Sequence, residues 1–195
     1  MLDFVNMHDC SIFEYLRRIR HFISRSATIT LANALVSSRL DYCNSLFCSI
    51  TKKEMKRLQG IQNTLCRIIH NLSGKTSTTH ARKSLHWLPI EFRTKFKTLC
   101  ITYKALDTGQ PPYLSSFLKQ YSCTKETRRT NPNLKFLEVP RITRNCKNLN
   151  QFHLSFKHAA PSLWNSLPLI VRNAPSFGSF RSRLKAHLVS LAFPP

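Results

Sequence analysis

Acid is what this chain lacks most: nine Asp and Glu stand against thirty Lys and Arg over 195 residues, a formal charge of +21. A surplus of that size repels itself unless a polyanion lies nearby, which makes nucleic acid the leading partner and an anionic membrane the competitor. A second absence counts against the membrane, since no uninterrupted apolar run approaches the ~20 residues that a spanning helix needs. The start, MLDFVNMHDC, carries Asp3 and Asp9 and lacks the basic-then-apolar order of a secretory signal. No C-x-x-C pair occurs among the seven cysteines. Cys43 and Cys48 have no second pair or histidine cluster beside them to close a tetrahedral zinc site. Cys10, Cys43, Cys48, Cys66, Cys100, Cys123 and Cys146 are scattered, many within helical patterns, as buried reduced thiols would be. The expectation is a nuclear or cytoplasmic protein, not secreted, with no metal and no cofactor.

An apolar fraction of 42% can support a real core. The organising stretch is SLHWLPIEFRTKFKTLCITYKAL, Ser84 to Leu106. Pro89 suits a first helical turn, where its missing N–H costs nothing. Phe92, Phe96, Leu99, Tyr103 and Leu106 then recur at helical spacing, which stacks them along one stripe. Arg93, Lys97 and Lys104 project together from another side as a cationic rail, with Lys95 near the apolar edge.

Upstream, Ser11 and Glu14 have the spacing of a capping box, so a helix is expected to begin there, with Ile12, Leu16, Ile19 and Ile23 inward and Arg17, Arg18 and Arg20 outward. Helical periodicity runs on from Ala27 to about Phe47 without Gly or Pro to stop it. Thr51 and Glu54 form a second capping box, opening a helix to about Leu72. Its outer arc carries Lys52, Lys53, Lys56, Asn63, Arg67 and His70 with no acid after the first turn. Such a face is either simply solvated or suited to phosphates, because no i,i+4 carboxylate relieves the repulsion.

Gly74, Lys75 and Thr76 have the order that ends a Walker A loop, but position 69 is Ile where that loop needs Gly, so nucleotide binding there is rejected. Thr78 or Thr79 is expected to cap a short helix leading into the Trp-Leu-Pro corner. The helix after Pro89 stops at Gly109, and Pro111 and Pro112 restart the chain. Ser122 to Asn133 reads as an exposed basic linker. Leu134 to Val139 and Phe152 to Phe156 alternate as short strands that could pair across a basic turn. Trp164, in AAPSLWNSLP, reads as a core plug, and a final helix over about 176–192 shows Arg181, Arg183, Lys185 and His187.

VSSRLDYCNSLF (36–47), LQGIQNTLCRII (58–69), the stretch 84–106, PPYLSSFLKQY (111–121), AAPSLWNSLP (159–168) and FRSRLKAHL (180–188) stand in a recognisable order. Over roughly residues 10 to 193 the chain resembles the C-terminal end of reverse transcriptases encoded by non-LTR (LINE-type, jockey-like) retrotransposons. The resemblance implies thumb-side helices and a post-palm region of an RNA-directed DNA polymerase, with RNA or an RNA–DNA hybrid as partner. Members of that family hold their metal ions with adjacent aspartates. Asp3, Asp9, Asp41 and Asp107 are the whole supply here, and no two adjoin, so two-metal nucleotidyl transfer is not expected of this chain alone and no catalytic residue is assigned.

The expected architecture is mainly α, a bundle of five to six amphipathic helices with a minor β element around residues 134–157. The expected regions are a thumb-like 1–121, a linker 122–150 and a C-terminal 151–195. The candidate nucleic-acid-binding residues are Lys52, Lys53, Lys56, Arg67, Arg93, Lys97, Lys104, Arg181, Arg183 and Lys185. The alternative is an inactive retroelement relic or a domesticated module that binds another protein, or the missing palm, through an exposed apolar patch.

Overall fold

The computed structural model describes residues 2–74, 76–121, 135–140 and 156–194. Its helices are α1 (Leu2–Ile19), α2 (Arg25–Ala32), α3 (Ser38–Asp41), α4 (Lys52–His70), α5 (Thr79–Ser84), α6 (Ile90–Thr108) and α7 (Pro112–Ser115), followed by α8 (Phe156–Asn165), α9 (Leu169–Arg172) and α10 (Phe177–Ala192). The protein is mainly α-helical, as expected, but several helices are shorter and more numerous than the periodicity suggested. Two compact units result: unit 1 is Met1–Asn44, Thr51–Arg93 and Ala192–Pro195, and unit 2 is Ser45–Ile50 and Thr94–Leu191. This division cuts through α6 instead of falling near residue 121.

In unit 1, α4 packs against α1, α2 and α5. Its apolar arc delivers Leu58, Leu65, Cys66, Ile68 and Ile69 to the interior, where Leu16, Val36 and Leu40 are also fully covered. The expected capping box at its start forms in both directions: Glu54 N–H donates to Thr51 Oγ1 at 3.3 Å, and Thr51 N–H donates to Glu54 Oε2 at 2.9 Å. That use holds the Glu54 carboxyl below its ordinary range. The other end closes on Asn71, left-handed at φ 54°, with Leu72 N–H returning to the Arg67 carbonyl at 3.0 Å.

Two expectations for this unit need correcting. Helix α1 does not begin at Ser11 but runs through it from Leu2, because the preceding residues include no Gly or Pro to halt propagation. The segment from Ala27 to Phe47 is not one helix. It passes through a π-turn at Asn33–Ser37, stops after Asp41 with Tyr42 extended and Cys43 at φ 50°, and resumes as a 3-10 turn at Asn44–Ser49. The Asn44 amide donates to Asp41 Oδ1 at 3.3 Å, so the Asp-Tyr-Cys-Asn run acts as a helix stop that hydrophobic spacing cannot reveal.

Unit 2 centres on aromatic rings. Tyr103 stacks on Phe180 with centroids 4.5 Å apart and lies 6.4 Å from Trp164, which itself stacks on Phe180 at 5.8 Å. Trp164 and Phe180 are fully buried, as a core plug should be. Helix α6 differs from its expected stripe. Thr94, Thr98, Thr102 and Ala105, one helical face, are more deeply buried than Phe92, Phe96 and Tyr103. The Thr102 hydroxyl donates to the Thr98 carbonyl at 2.9 Å, so its polar group is satisfied within the helix and the methyl is left to pack. Apolar periodicity misses a face built from threonine.

The expected β element is corrected as well. Among the described residues no strand is present, only an antiparallel bridge between Gln120 and Leu137. Tyr121 N–H donates to Phe136 O at 2.9 Å and Glu138 N–H donates to Lys119 O at 2.8 Å, so residues 135–140 pair backward along the chain. Of their expected partner, Phe156 opens a helix, while 152–155 lie outside the described residues, as does the expected linker 122–133. An amide completes the pairing instead. Asn165 accepts from Leu137 N–H at 2.9 Å and donates to Leu137 O at 2.8 Å, while the Trp164 indole donates to Lys135 O at 2.9 Å. The Trp-Asn pair of WNSLP thus serves as a clamp on 135–137.

Candidate nucleic-acid interface

The unit 1 candidates lie on α4. Lys52, Lys53 and Lys56 are exposed in its first turns, and Lys52, Lys56 and Arg67 share one side of the helix. At 1.5 Å per residue, Lys56 and Arg67 are ~16 Å apart along the axis. Arg67 is half-buried and donates to the Thr76 carbonyl at a long 3.5 Å. His70, at the end of the same side, is covered by Arg25, whose Nη2 lies 3.1 Å from Nε2, and it also meets Ser84 Oγ at 3.3 Å. Burial first, then Arg25 and His80, hold His70 below its ordinary pKa.

Arg93 belongs to a different environment from the rail assigned to it. Its side chain, 17% exposed, lies 3.3 Å from Asp41 as an ion pair. Mostly covered and with a carboxylate beside it, Arg93 is less open to a phosphate than the exposed Lys97 and Lys104. Arg93 is therefore a tie between α6 and the end of α3, within unit 1. Burial raises the Cys66 thiol to about 11 against the opposing pull of Arg82, Arg67 and Arg93, which places these arginines around one buried sulfur.

The unit 2 candidates gather more closely. Lys97 and Lys104 are exposed on one side of α6. Lys104 Nζ lies 4.7 Å above the Phe177 ring, and the exposed Arg181 guanidinium of α10 lies 5.7 Å from the same ring. Lys97, Lys104 and Arg181 all act on the thiol of Cys100, which burial raises to about 11 in spite of them. Lys185 is exposed one turn after Arg181. Arg183 points elsewhere: it donates to the Ile170 carbonyl at 2.7 Å and ties α10 to α9. The resulting group of Lys97, Lys104, Arg181 and Lys185 can meet a phosphate backbone, with Asp107 three residues beyond Lys104 on α6.

Residues that charge did not flag position these helices. Gln62 of α4, fully buried, donates to Leu88 O at 2.9 Å, and Gln59 accepts from Ile90 N–H at 3.0 Å. The two glutamines of LQGIQ thereby hold the Trp-Leu-Pro corner, and Gln59 takes up one of the free donors at the start of α6. His86, at φ 54°, ends α5 as Trp87 N–H returns to the Arg82 carbonyl at 2.9 Å.

Among the described residues no group of His, Cys, Asp or Glu could hold a metal ion, and no helix is long and apolar enough to cross a membrane. No known family, no curated protein and no solved structure matches the chain. The labels reverse transcriptase, retrotransposon and LINE, suggested by the order of its motifs, are accordingly withdrawn: none of the three comparisons ties the chain to such proteins.

Proposed function

We propose that this chain is a non-catalytic nucleic-acid-binding module that grips RNA or an RNA–DNA hybrid through backbone phosphates. The observation that carries the reading is the set of exposed cations Lys97 and Lys104 of α6 with Arg181 and Lys185 of α10, of which Lys104 and Arg181 stand over Phe177. Lys52, Lys53 and Lys56 add a second cationic surface on unit 1. Phosphate contacts of this kind position a strand without reading its bases, so weak sequence preference goes with them.

Salt titration tests it. With ~6 phosphate contacts, log K falls against log salt with a slope of about −4 on single strands and about −5 on duplex DNA. Binding that ignores salt, or no binding at low salt, sinks the proposal. A protein-interaction module is the second reading, favoured by large apolar side chains at the surface: Phe22 is 87% and Ile170 69% exposed. Concentration-dependent association abolished by Phe22→Ser or Ile170→Ser, with no affinity for RNA, selects it.

A further inference from the structure

Beside the last turn of α4 lies a cleft of about 350 Å³ lined by Arg17, Arg20, Arg67, Asn71 and Gly74 among others, with no Asp or Glu in its wall. We propose that this cleft is a phosphate site that takes one phosphoryl group of a bound strand. The proposal deepens the nucleic-acid reading and rests on it.

Arg20 is fixed in place by the protein, and Arg67 is held more loosely. Arg20 donates through Nη1 to the Ile68 carbonyl at 2.9 Å and through Nη2 to Asn71 Oδ1, while Arg67 reaches the Thr76 carbonyl through Nη2. Three guanidinium groups thus line one cleft that has no carboxylate in its wall, so its positive charge has no counter-charge there, and an anionic acceptor would supply one. Arg17, exposed on the turn of α1 before Arg20, adds a third charge at the rim. Helix α4 turns its negative end toward the cleft, which by itself disfavours an anion. That objection is weakened because the last carbonyls are already occupied: Ile68 O accepts from Arg20, and Arg67 O accepts from Leu72 N–H. An acceptor with several oxygens and at least one negative charge fits planar guanidinium donors, and phosphate is that group in a strand.

The discriminating variant is Arg67→Lys, which keeps the charge and removes the planar multi-donor guanidinium. Fluorescence polarisation with a labelled 12-nucleotide RNA, carrying either a 5′-phosphate or a 5′-hydroxyl, is expected to show about tenfold weaker binding by the variant. Loss with both RNAs assigns an internucleotide phosphate, and loss confined to the 5′-phosphorylated RNA assigns a terminal one. Unchanged affinity for both overturns the site while leaving the general grip standing. Arg17→Gln, on an exposed position that does not endanger the fold, should weaken binding less. A second measurement stands apart from RNA binding. Inorganic phosphate should raise the melting temperature of the unaltered protein above chloride at equal ionic strength, and that excess should vanish in Arg67→Lys. An equal excess in both proteins, or none in the unaltered one, overturns the site even if RNA binds elsewhere.

Discussion

In unit 1 several guanidinium groups are engaged by the protein itself while Arg17, Arg18 and Arg57 stay exposed: Arg20 caps a carbonyl of α4, Arg82 donates to Asn63 at 3.3 Å, Arg25 covers His70, and Arg93 faces Asp41. In unit 2 Lys104 and Arg181 instead stand exposed over one aromatic ring, with Lys97 and Lys185 exposed on the same two helices. The comparison teaches that a net charge is not a count of available cations. Some of it is structural, engaged by a carbonyl, an amide, an imidazole and a carboxylate of the protein itself. The remainder can meet a polyanion, and in these terms unit 2 and the first turns of α4 are the better candidates.

The sharpest contrast lies in the cores, and breaking it should give the largest effect. Trp164→Ala removes a buried ring stacked on Phe180 together with the indole bond to Lys135 O. A loss of about 3–5 kcal/mol is expected in denaturant unfolding. A loss under about 1 kcal/mol would mean that the aromatic cluster does not organise unit 2.

Smaller losses are expected from the amides that substitute for secondary structure. Gln62→Ala in unit 1 leaves Leu88 O without its donor, and Asn165→Ala in unit 2 strips both backbone groups of Leu137 of their partner. Each should cost about 1–3 kcal/mol. Asn165→Asp is the finer probe: it can still accept from Leu137 N–H but presents a carboxylate to the carbonyl. If it is as stable as the unaltered protein, the two-sided clamp is not what holds 135–137.

Charge removal then compares the exposed cations with the inward ones. Replacing Lys97, Lys104 and Arg181 with Gln should make the salt slope on single-stranded RNA shallower by about 2 and leave the melting temperature nearly unchanged. Arg93→Gln should do the reverse, because it removes the ion pair to Asp41 without touching the proposed grip. Equal changes in slope from both replacements would erase the distinction between the two kinds of cation.

How much of this was legible in the sequence depends on which signal a residue carries. The Thr51 and Glu54 box, the helix after Pro89 and its stop at Gly109, at φ 68°, follow from local rules, and local rules found them. Helix α10 likewise begins where Ser176 Oγ accepts from Ser179 N–H at 3.3 Å. The threonine face of α6 and the helix stop at Asp41 to Asn44 escaped, because both depend on side-chain hydrogen bonds that hydrophobic spacing does not register. The grouping of Lys97 and Lys104 with Arg181 needs two helices distant in sequence and was open to no single-helix argument. Arg93 shares the spacing of Lys97 and Lys104 yet is withdrawn by Asp41, a partner fifty-two residues upstream.

The smallest effect concerns pH and belongs to unit 1 alone. His70 is held below its ordinary pKa chiefly by burial, then by Arg25 and His80, so the folded chain resists protonating it. The unfolded chain accepts that proton near pH 6.5, so between the two values it binds more protons than the folded one. Stability therefore falls as pH drops through about 6.5 toward the folded value, and nothing is lost above it. Arg25 and His80 are the charged or titratable neighbours, and Ser84 also touches the ring. His70→Gln keeps a polar side chain that cannot gain charge, so unfolding measured from about pH 7.5 to about pH 5.5 should show a shallower decline than in the unaltered protein. Parallel declines would assign the acid sensitivity to other groups and leave the Arg25 contact as packing only.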